Sequence, residues 1–311
     1  MHFTLRQLEY FIAAGEACSI RKASEAINVS QPAISSAISQ LEASFKLQLF
    51  IRHHAQGLSL TPAGTAFLLE AKQFLAQGAE LKNVAVDLSS KLAGTVQVGA
   101  FSVIAPIVMP ELISRFLHEH EHIEVLMSED SQPVLLDKLK RGALDIALTY
   151  DLHLPEGVDF IPLVSLSAYL LLGKNHPLSS RESLSLEEVV EERFVLLDLP
   201  LSREYFLSMF IHAGLKPWIY ARTEHPEVVR GLVGRGYSYS LANVRPKNLS
   251  SLDGSELSYV PLRGEHPSLN LGLATLKDVR KTRALEAFVL YCQKSITQNR
   301  VPGMTGSTNG A

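Results

Sequence analysis

Between Pro62 and Ser89, Phe67, Phe74, Leu81 and Leu88 recur every seven residues, and the small Ala71, Gly78 and Ala85 lie between them on the same seam. A stretch of good helix formers with that period reads as one long helix, and a heptad seam of large and small residues suits a partner helix. The helix divides the chain, so the sequence on either side must build its own core. The expected role is dimerisation through Phe67, Phe74, Leu81 and Leu88; the plainer alternative is a helix packed on its own domain. A chain of 311 residues has room for roughly two or three domains and needs no disulfide staples.

Before the long helix, the spacing of Leu5, Leu8, Phe11 and Ile12 places them on one helical face. A second helix is predicted from Ser19, as N-cap, to Ile27, with Asn28 in a left-handed C-terminal position. Ser30 is expected to cap a third helix whose first turn accommodates Pro32, and Ile34, Ile38, Leu41 and Phe45 form its buried stripe. The tight turn between the last two helices makes a helix-turn-helix. After Gly94 the period changes. Strands near Gly94–Ala100, Ile123–Met127, Leu144–Thr149, Ala168–Leu172, Phe194–Leu197, Trp218–Ala221, Tyr237–Leu241 and Leu269–Leu276 alternate with a helix ending at about His118 and helices near 134–141, 203–213, 226–234 and 282–296. That alternation implies parallel sheets with crossover helices.

Lys and Arg number 29 against 32 Asp and Glu, a formal charge of -3, so nucleic-acid binding must come from a local patch. Two cysteines, Cys18 and Cys292, are too few for a disulfide framework. They fall in different parts of the chain, and Cys18 is expected in the helical core. No apolar run approaches the ~20 residues of a bilayer span and the start lacks a signal-peptide pattern, so a cytoplasmic protein without membrane contact is expected. The alternating His118, His120 and His122 share a strand face but read as a solvated helix end entering an edge strand, so no metal is expected. The glycines of Gly231–Gly236 follow a helix and precede a strand, the wrong order for a dinucleotide fingerprint. With no nucleophile-base set either, neither an enzymatic reaction nor a cofactor is expected.

The run Ala23-Ser-Glu-Ala-Ile-Asn-Val-Ser-Gln-Pro-Ala-Ile-Ser-Ser-Ala-Ile-Ser-Gln-Leu-Glu42, followed by Leu49-Phe-Ile-Arg52 and Leu60-Thr-Pro-Ala-Gly64, resembles the N-terminal domain of LysR-type transcriptional regulators. The long helix and the alternating C-terminal part fit the same plan. The resemblance implies an N-terminal all-α winged helix-turn-helix (residues 1–61), a long linker helix that dimerises (62–90) and a C-terminal two-lobed α/β effector domain resembling type 2 periplasmic binding proteins (91–298). The lobes are expected at about 91–164 with 266–298, and 165–265, leaving 299–311 as a disordered tail. The implied function is sequence-specific, effector-controlled regulation of transcription by a homodimer or homotetramer, with RNA polymerase as a further partner. Two residue choices depart from the family pattern: Ser36 stands where many relatives have Arg, and Phe45-Lys46 replaces Leu-Gly.

A recognition helix reads base edges of double-stranded DNA with its N-terminal residues. Gln31, Ser35 and Ser36 are therefore the expected readers, Ser30 and Pro32 open the helix, Lys22 lies on the preceding one, and Arg52 and His53 lie in the wing along the backbone or minor groove. Ligands of open α/β sheets bind outside the carboxyl ends of the strands. That rule selects Ser102, Val103, Asp130, Ser131, Thr149 and Tyr150 in one lobe, and Leu201, Ser202, Arg203, Glu224 and His225 in the other. Arg203 is either the anchor of an effector carboxylate or a surface arginine in a first helical turn. His225 either touches the effector, senses pH or caps a helix. Arg203 as anchor would suit a carboxylate, while Glu224 and Asp130 suit an amine and so favour a zwitterion or a polar ligand over a simple acid; a carboxylate or zwitterion is the expected effector.

Overall fold

The computed structural model describes residues 3–53, 57–87 and 92–305, which form two compact units divided near Gly94. In the first, α1 (Leu5–Ala17), α2 (Ile20–Ile27) and α3 (Gln31–Phe45) precede a hairpin of β1 (Phe50–His53) and β2 (Gly57–Leu60), and α4 spans Pro62–Asp87. Thr4 and Gln7 form a reciprocal capping box at α1, Ser19 caps α2, and Asn28 ends it in the left-handed region. The apolar faces converge on one core containing Leu8, Phe11, Ala23, Ile34, Ile38 and Leu41, with Leu49, Phe50 and Leu58 from the wing.

The Leu60-Thr-Pro-Ala-Gly64 run is a joint between wing and long helix. The Thr61 hydroxyl donates to the Gln48 carbonyl at 2.7 Å and accepts the Gly64 N–H at 2.8 Å. Pro62 opens α4, where a missing N–H costs nothing, and a Cβ at Gly64 would overlap the Leu49 carbonyl. Leu68 and Ala71 of α4 are fully part of the core, and Phe67 and Leu75 pack against it. A boundary at residue 61 therefore cuts through the core. The heptad seam is in part turned inward: Phe67 lies against Phe11 and Phe45, with ring centroids 5.3 and 4.9 Å apart, while Phe74 meets Phe3 at 6.2 Å and stays 37% exposed. Among the seam residues, the side chain of Leu81 and all of Leu88 lie outside the described residues.

The second unit comprises β3 (Gly94–Phe101), α5 (Ala105–Glu119), β4 (Ile123–Asp130), α6 (Gln132–Lys140), β5 (Ile146–Tyr150), β6 (Val158–Leu166), β7 (Tyr169–Gly173), β8 (Arg193–Leu197), α7 (Ser202–His212), β9 (Trp218–Thr223), α8 (Pro226–Gly234), β10 (Tyr239–Ala242), β11 (Leu257–Pro261), β12 (Leu269–Leu276) and α9 (Arg283–Ser295). Two five-stranded sheets form, in the orders β4-β3-β5-β12-β6 and β11-β7-β10-β8-β9. Each is the core of one lobe, and the chain passes between them at 166–169 and returns at 261–269.

All-parallel sheets were the expectation, but both are mixed. β3 and β5, and β8 with β9 and β10, run parallel. β12 is antiparallel to β5 and β6, and β7 is antiparallel to β10 and β11. The reversed strands sit where the chain changes lobes, so no crossover helix separates β6 from β7. Two further expectations are corrected. Cys18 is exposed, at the left-handed C-terminus of α1, because a residue that ends a helix at φ 47° points away from the buried stripe. Residues 301–305 are packed: Val301 and Met304 are 8% and 6% exposed, because a short tail with two apolar side chains finds a groove. Residues 306–311 lie outside the described residues.

Candidate functional sites

α3 buries Ile34, Ala37, Ile38 and Leu41 and turns the opposite face outward. Gln31, Pro32, Ser36, Ser39 and Gln40 are exposed and Ser35 half-buried, forming a polar strip along the helix. Ser30 occupies the N-cap, but its hydroxyl makes no cap bond. Ser30, at φ -65° and ψ 142°, accepts from the Ala33 and Ile34 N–H groups with its carbonyl alone, so the expected side-chain cap is absent. Pro32 has no N–H and those of Ala33 and Ile34 go to the Ser30 carbonyl, so the first turn offers a phosphate oxygen the Gln31 N–H. Lys22 on α2 and Arg52 on β1 are exposed on the same unit, while the side chain of His53 lies outside the described residues. One residue missed in the sequence holds this frame together. The Glu42 carboxylate accepts the Leu49 N–H at 2.8 Å and the Phe50 N–H at 3.1 Å, tying the end of α3 to the first wing strand.

In the second unit a cavity of about 120 Å³ opens between the two sheets. Its floor and walls come from Phe101 at the end of β3, Ser102 and Val103 after it, Pro106 and Ile107 of α5, and Tyr150 at the end of β5. The facing lobe supplies Ser202 and Phe206 of α7, Pro226, Glu227, Val229 and Arg230 of α8, Ala242 at the end of β10, and Asn243, Val244 and Pro246 beyond it. Most of the lining is apolar. The first turns of α5, α7 and α8 all face it, and none carries a side-chain cap.

Four expected effector residues, Ser102, Val103, Tyr150 and Ser202, line the cavity; the other seven do not. Thr149 points into the sheet core, fully buried, as the strand alternation one residue before Tyr150 requires. Asp130 instead offers its carbonyl to the Ser102 N–H at 3.0 Å, and Ser131 accepts from Leu135 as α6 begins. Leu201 holds φ 68° at the start of α7 and is not among the lining residues. Arg203 is spent locally, on Asp198 at 2.9 Å and Glu204 at 2.7 Å, which raises its pKa further through those hydrogen bonds. It is the surface arginine of the two readings. Glu224 and His225 are exposed, and His225 holds the N-cap of α8 without a side-chain bond.

The sequence reading missed Asn243, Glu227, Arg230 and Tyr259. Arg230 is 6% exposed, and both of its terminal nitrogens are hydrogen-bonded. It donates to the Tyr259 hydroxyl and to the carbonyls of Asn248 and Ser250, and its Nε lies 3.3 Å from Glu227 without hydrogen-bond alignment. Tyr150 donates its hydroxyl to Asn243 Oδ1 at 3.2 Å, and burial pushes that hydroxyl's pKa up, so it stays a donor. The Asn243 Nδ2 is then buried with no partner among the described residues. The sequence signal was faint: α8 and the end of β10 were legible, but not which of their residues turn inward.

Residues 89–296 match the family model of the LysR substrate binding domain, and residues 5–65 match that of the bacterial regulatory helix-turn-helix protein, lysR family. The chain belongs to the LysR family. It is a DNA-binding transcriptional regulator with an effector-binding domain, and not an enzyme. Among its relatives, the uncharacterized HTH-type transcriptional regulator YybE of Bacillus subtilis is 28% identical over 290 residues, covering 92% of this chain and 96% of YybE. The crystal structure of HinK, a LysR family regulator from Pseudomonas aeruginosa, is 33% identical with a TM-score of 0.64, covering 95% of this chain and 99% of HinK. A full-length CbnR complexed with its target DNA shares the fold at 22% identity, with a TM-score of 0.55 and 94% and 99% coverage. Among the described residues of this LysR-family regulator, no helix is long and apolar enough to cross a membrane, and no cluster of three or more His, Cys, Asp or Glu suits a metal.

Proposed function

We propose that this LysR-family regulator lays the first turns of α3 in the major groove, with Gln31, Ser35 and Ser36 at base edges, Ser30 and Pro32 at the entry, and Lys22, Arg52 and His53 along the backbone. The observation that carries this reading is the two-sided α3: one face is wholly buried and the other is an exposed polar strip with an uncapped N-terminus. Gln at such a position can pair with adenine through two bonds, while Ser serves base or phosphate. The half-exposed Phe74 and the open space at Gly78 support pairing of two copies along α4. Assembly into tetramers, contact with RNA polymerase and a cytoplasmic location complete the proposal.

The effector is a small molecule with a compact apolar body, since a cavity near 120 Å³ is comparable to one that holds a benzene ring. Its polar end presents acceptor oxygens to Asn243 Nδ2, the Ser102 and Ser202 hydroxyls and the uncapped helix starts, which favours a carboxylate; Glu227 on the rim suits an ammonium and hence a zwitterion. Mobility shift on DNA from upstream of the protein's own coding region tests the first half, and failure to shift any such fragment at low salt, with or without cell extract, ends the reading. A thermal-shift screen of small carboxylates, amines and amino acids tests the second, because a ligand at about 100 times its Kd adds roughly 2.7 kcal/mol.

A further inference from the structure

The LysR substrate binding match ends at residue 296, yet the chain continues in a defined path to residue 305. After α9, Gln298 bonds both the N–H and the carbonyl of Ser165, at 3.1 and 3.2 Å, beside the first crossover between the lobes. Thr297 and Arg300 then exchange backbone hydrogen bonds of 2.8 and 3.0 Å, which reverses the chain. The segment that follows grips both lobes at once. On α5 of the first lobe, the Gly303 N–H donates to the Glu111 carboxylate at 3.2 Å, and the Arg300 guanidinium reaches the other Glu111 oxygen at 3.4 Å. On the second lobe, the Lys247 N–H donates to the Gly303 carbonyl at 2.9 Å, and the Thr305 N–H to the Arg245 carbonyl at 3.0 Å, with Pro246 facing Met304.

This contact lies directly behind the cavity. Gly303 holds φ +72°, and a Cβ on it would overlap the Ile107 carbonyl. Ile107 and Pro246 are both cavity-lining residues, one from each lobe. The covalent connections between the two sheets are only the crossovers at 166–169 and 261–269, and two connections define a hinge. A third tie between the lobes opposes rotation about it.

We infer that residues 297–305 are a strap that sets the separation of the two lobes across the cavity, so that an effector alters lobe arrangement by working with or against it. The mechanical half of this inference stands on the contacts alone; the regulatory half rests on the proposed effector site.

The test is the distance distribution between spin labels at Glu119→Cys on the first lobe and Lys216→Cys on the second, both exposed. Exposed Cys18 is replaced by Ser, buried Cys292 stays unlabelled, and labelled protein is diluted with unlabelled protein so that distances within one copy dominate. Three versions are compared: the full chain, a chain ending at Ile296, and Gly303→Val, which expels the strap without deleting it. The full chain is expected to give one narrow distance, and the other two a broadened or displaced one. A distribution unchanged in both overturns the strap. If the shortened chain loses its circular dichroism signal, Gly303→Val with Arg300→Ala decides the matter alone, because Glu111 also pairs directly with Lys247 across the lobes and is left in place. Mobility shifts on the same proteins separate the two halves: altered lobe distances with DNA affinity equal to the full chain's overturn the regulatory half. Absence of any DNA binding by the full chain counts against the proposed function, while the distances still judge the strap.

Discussion

Lys46 ends α3 at φ +52°, with its N–H on the Glu42 carbonyl. The left-handed region is strained for any residue with a Cβ and is open to Gly. Lys46→Gly is therefore expected to stabilise the N-terminal unit by about 0.5 to 1 kcal/mol, read by thermal unfolding; a lower Tm would mean that the lysine side chain makes a stabilising contact that outweighs the strain. Arg203 teaches the opposite lesson about reading residues singly. Its place after a strand end suggested an effector anchor, but Asp198 and Glu204 occupy its guanidinium. Arg203→Ala is expected to leave ligand-induced thermal shifts unchanged, whereas Asn243→Leu, which removes the orphan donor, is expected to weaken an acceptor ligand by about tenfold, the order of one hydrogen bond. Isothermal titration with any hit from the screen distinguishes the two. Strand alternation shows why half the site was legible. Ser102, Tyr150 and Ser202 follow from the ends of elements, while Asn243 and Arg230 depend on which way a buried side chain turns, information held in packing between distant segments.

At the scale of elements, the helical periods, the wing and most of the α/β alternation were plain in the sequence because each is a local pattern. The mixed sheets were not, because strand direction is decided where the chain changes lobes. The link between recognition helix and wing was invisible for the same reason: Glu42 looks like a solvated helical residue until Leu49 and Phe50 fold back onto it. Glu42→Ala leaves two N–H groups without their acceptor and is expected to destabilise the N-terminal unit by about 1 to 3 kcal/mol, and to lower DNA affinity by freeing the wing. Denaturant unfolding and mobility shift check the two effects, and a loss of neither would remove Glu42 from the joint. The strap has its own pH signature. Partial burial tends to raise the Glu111 carboxyl, but the Gly303 N–H, Lys247 and Arg115 outweigh it, and Arg300 faces it as well, so its pKa falls below the usual carboxylate range. A depressed carboxylate contributes stability above its unfolded pKa and loses it as pH falls through the folded value. The strap is therefore expected to hold at neutral pH and to loosen only in acid, below pH ~4. Proteolysis near residue 300 followed against pH checks this; cleavage equal at neutral and acid pH, in a chain still folded, would refute it.

For the whole molecule, charge limits how one copy can hold DNA. Residues 1–90 carry Arg6, Arg21, Lys22, Lys46, Arg52, Lys72 and Lys82 against Glu9, Glu16, Glu25, Glu42, Glu70, Glu80 and Asp87, seven of each, so their net charge is zero. One of these cations is also spent internally, since the largely buried Lys72 meets Glu16 at 2.6 Å. Few cations remain for phosphates, and the counterions released by one domain are correspondingly few. Affinity must then come from linked copies, where the second binding event is intramolecular and needs no new contact. Phe74→Glu places a charge on the part of α4 that stays exposed and is expected to split the assembly, as light scattering would show. The slope of log affinity against log salt should then fall by about half, because each copy counts only its own phosphates. Equal slopes for the split and intact proteins would mean that a single copy makes all the DNA contacts, and that pairing along α4 serves something other than DNA binding.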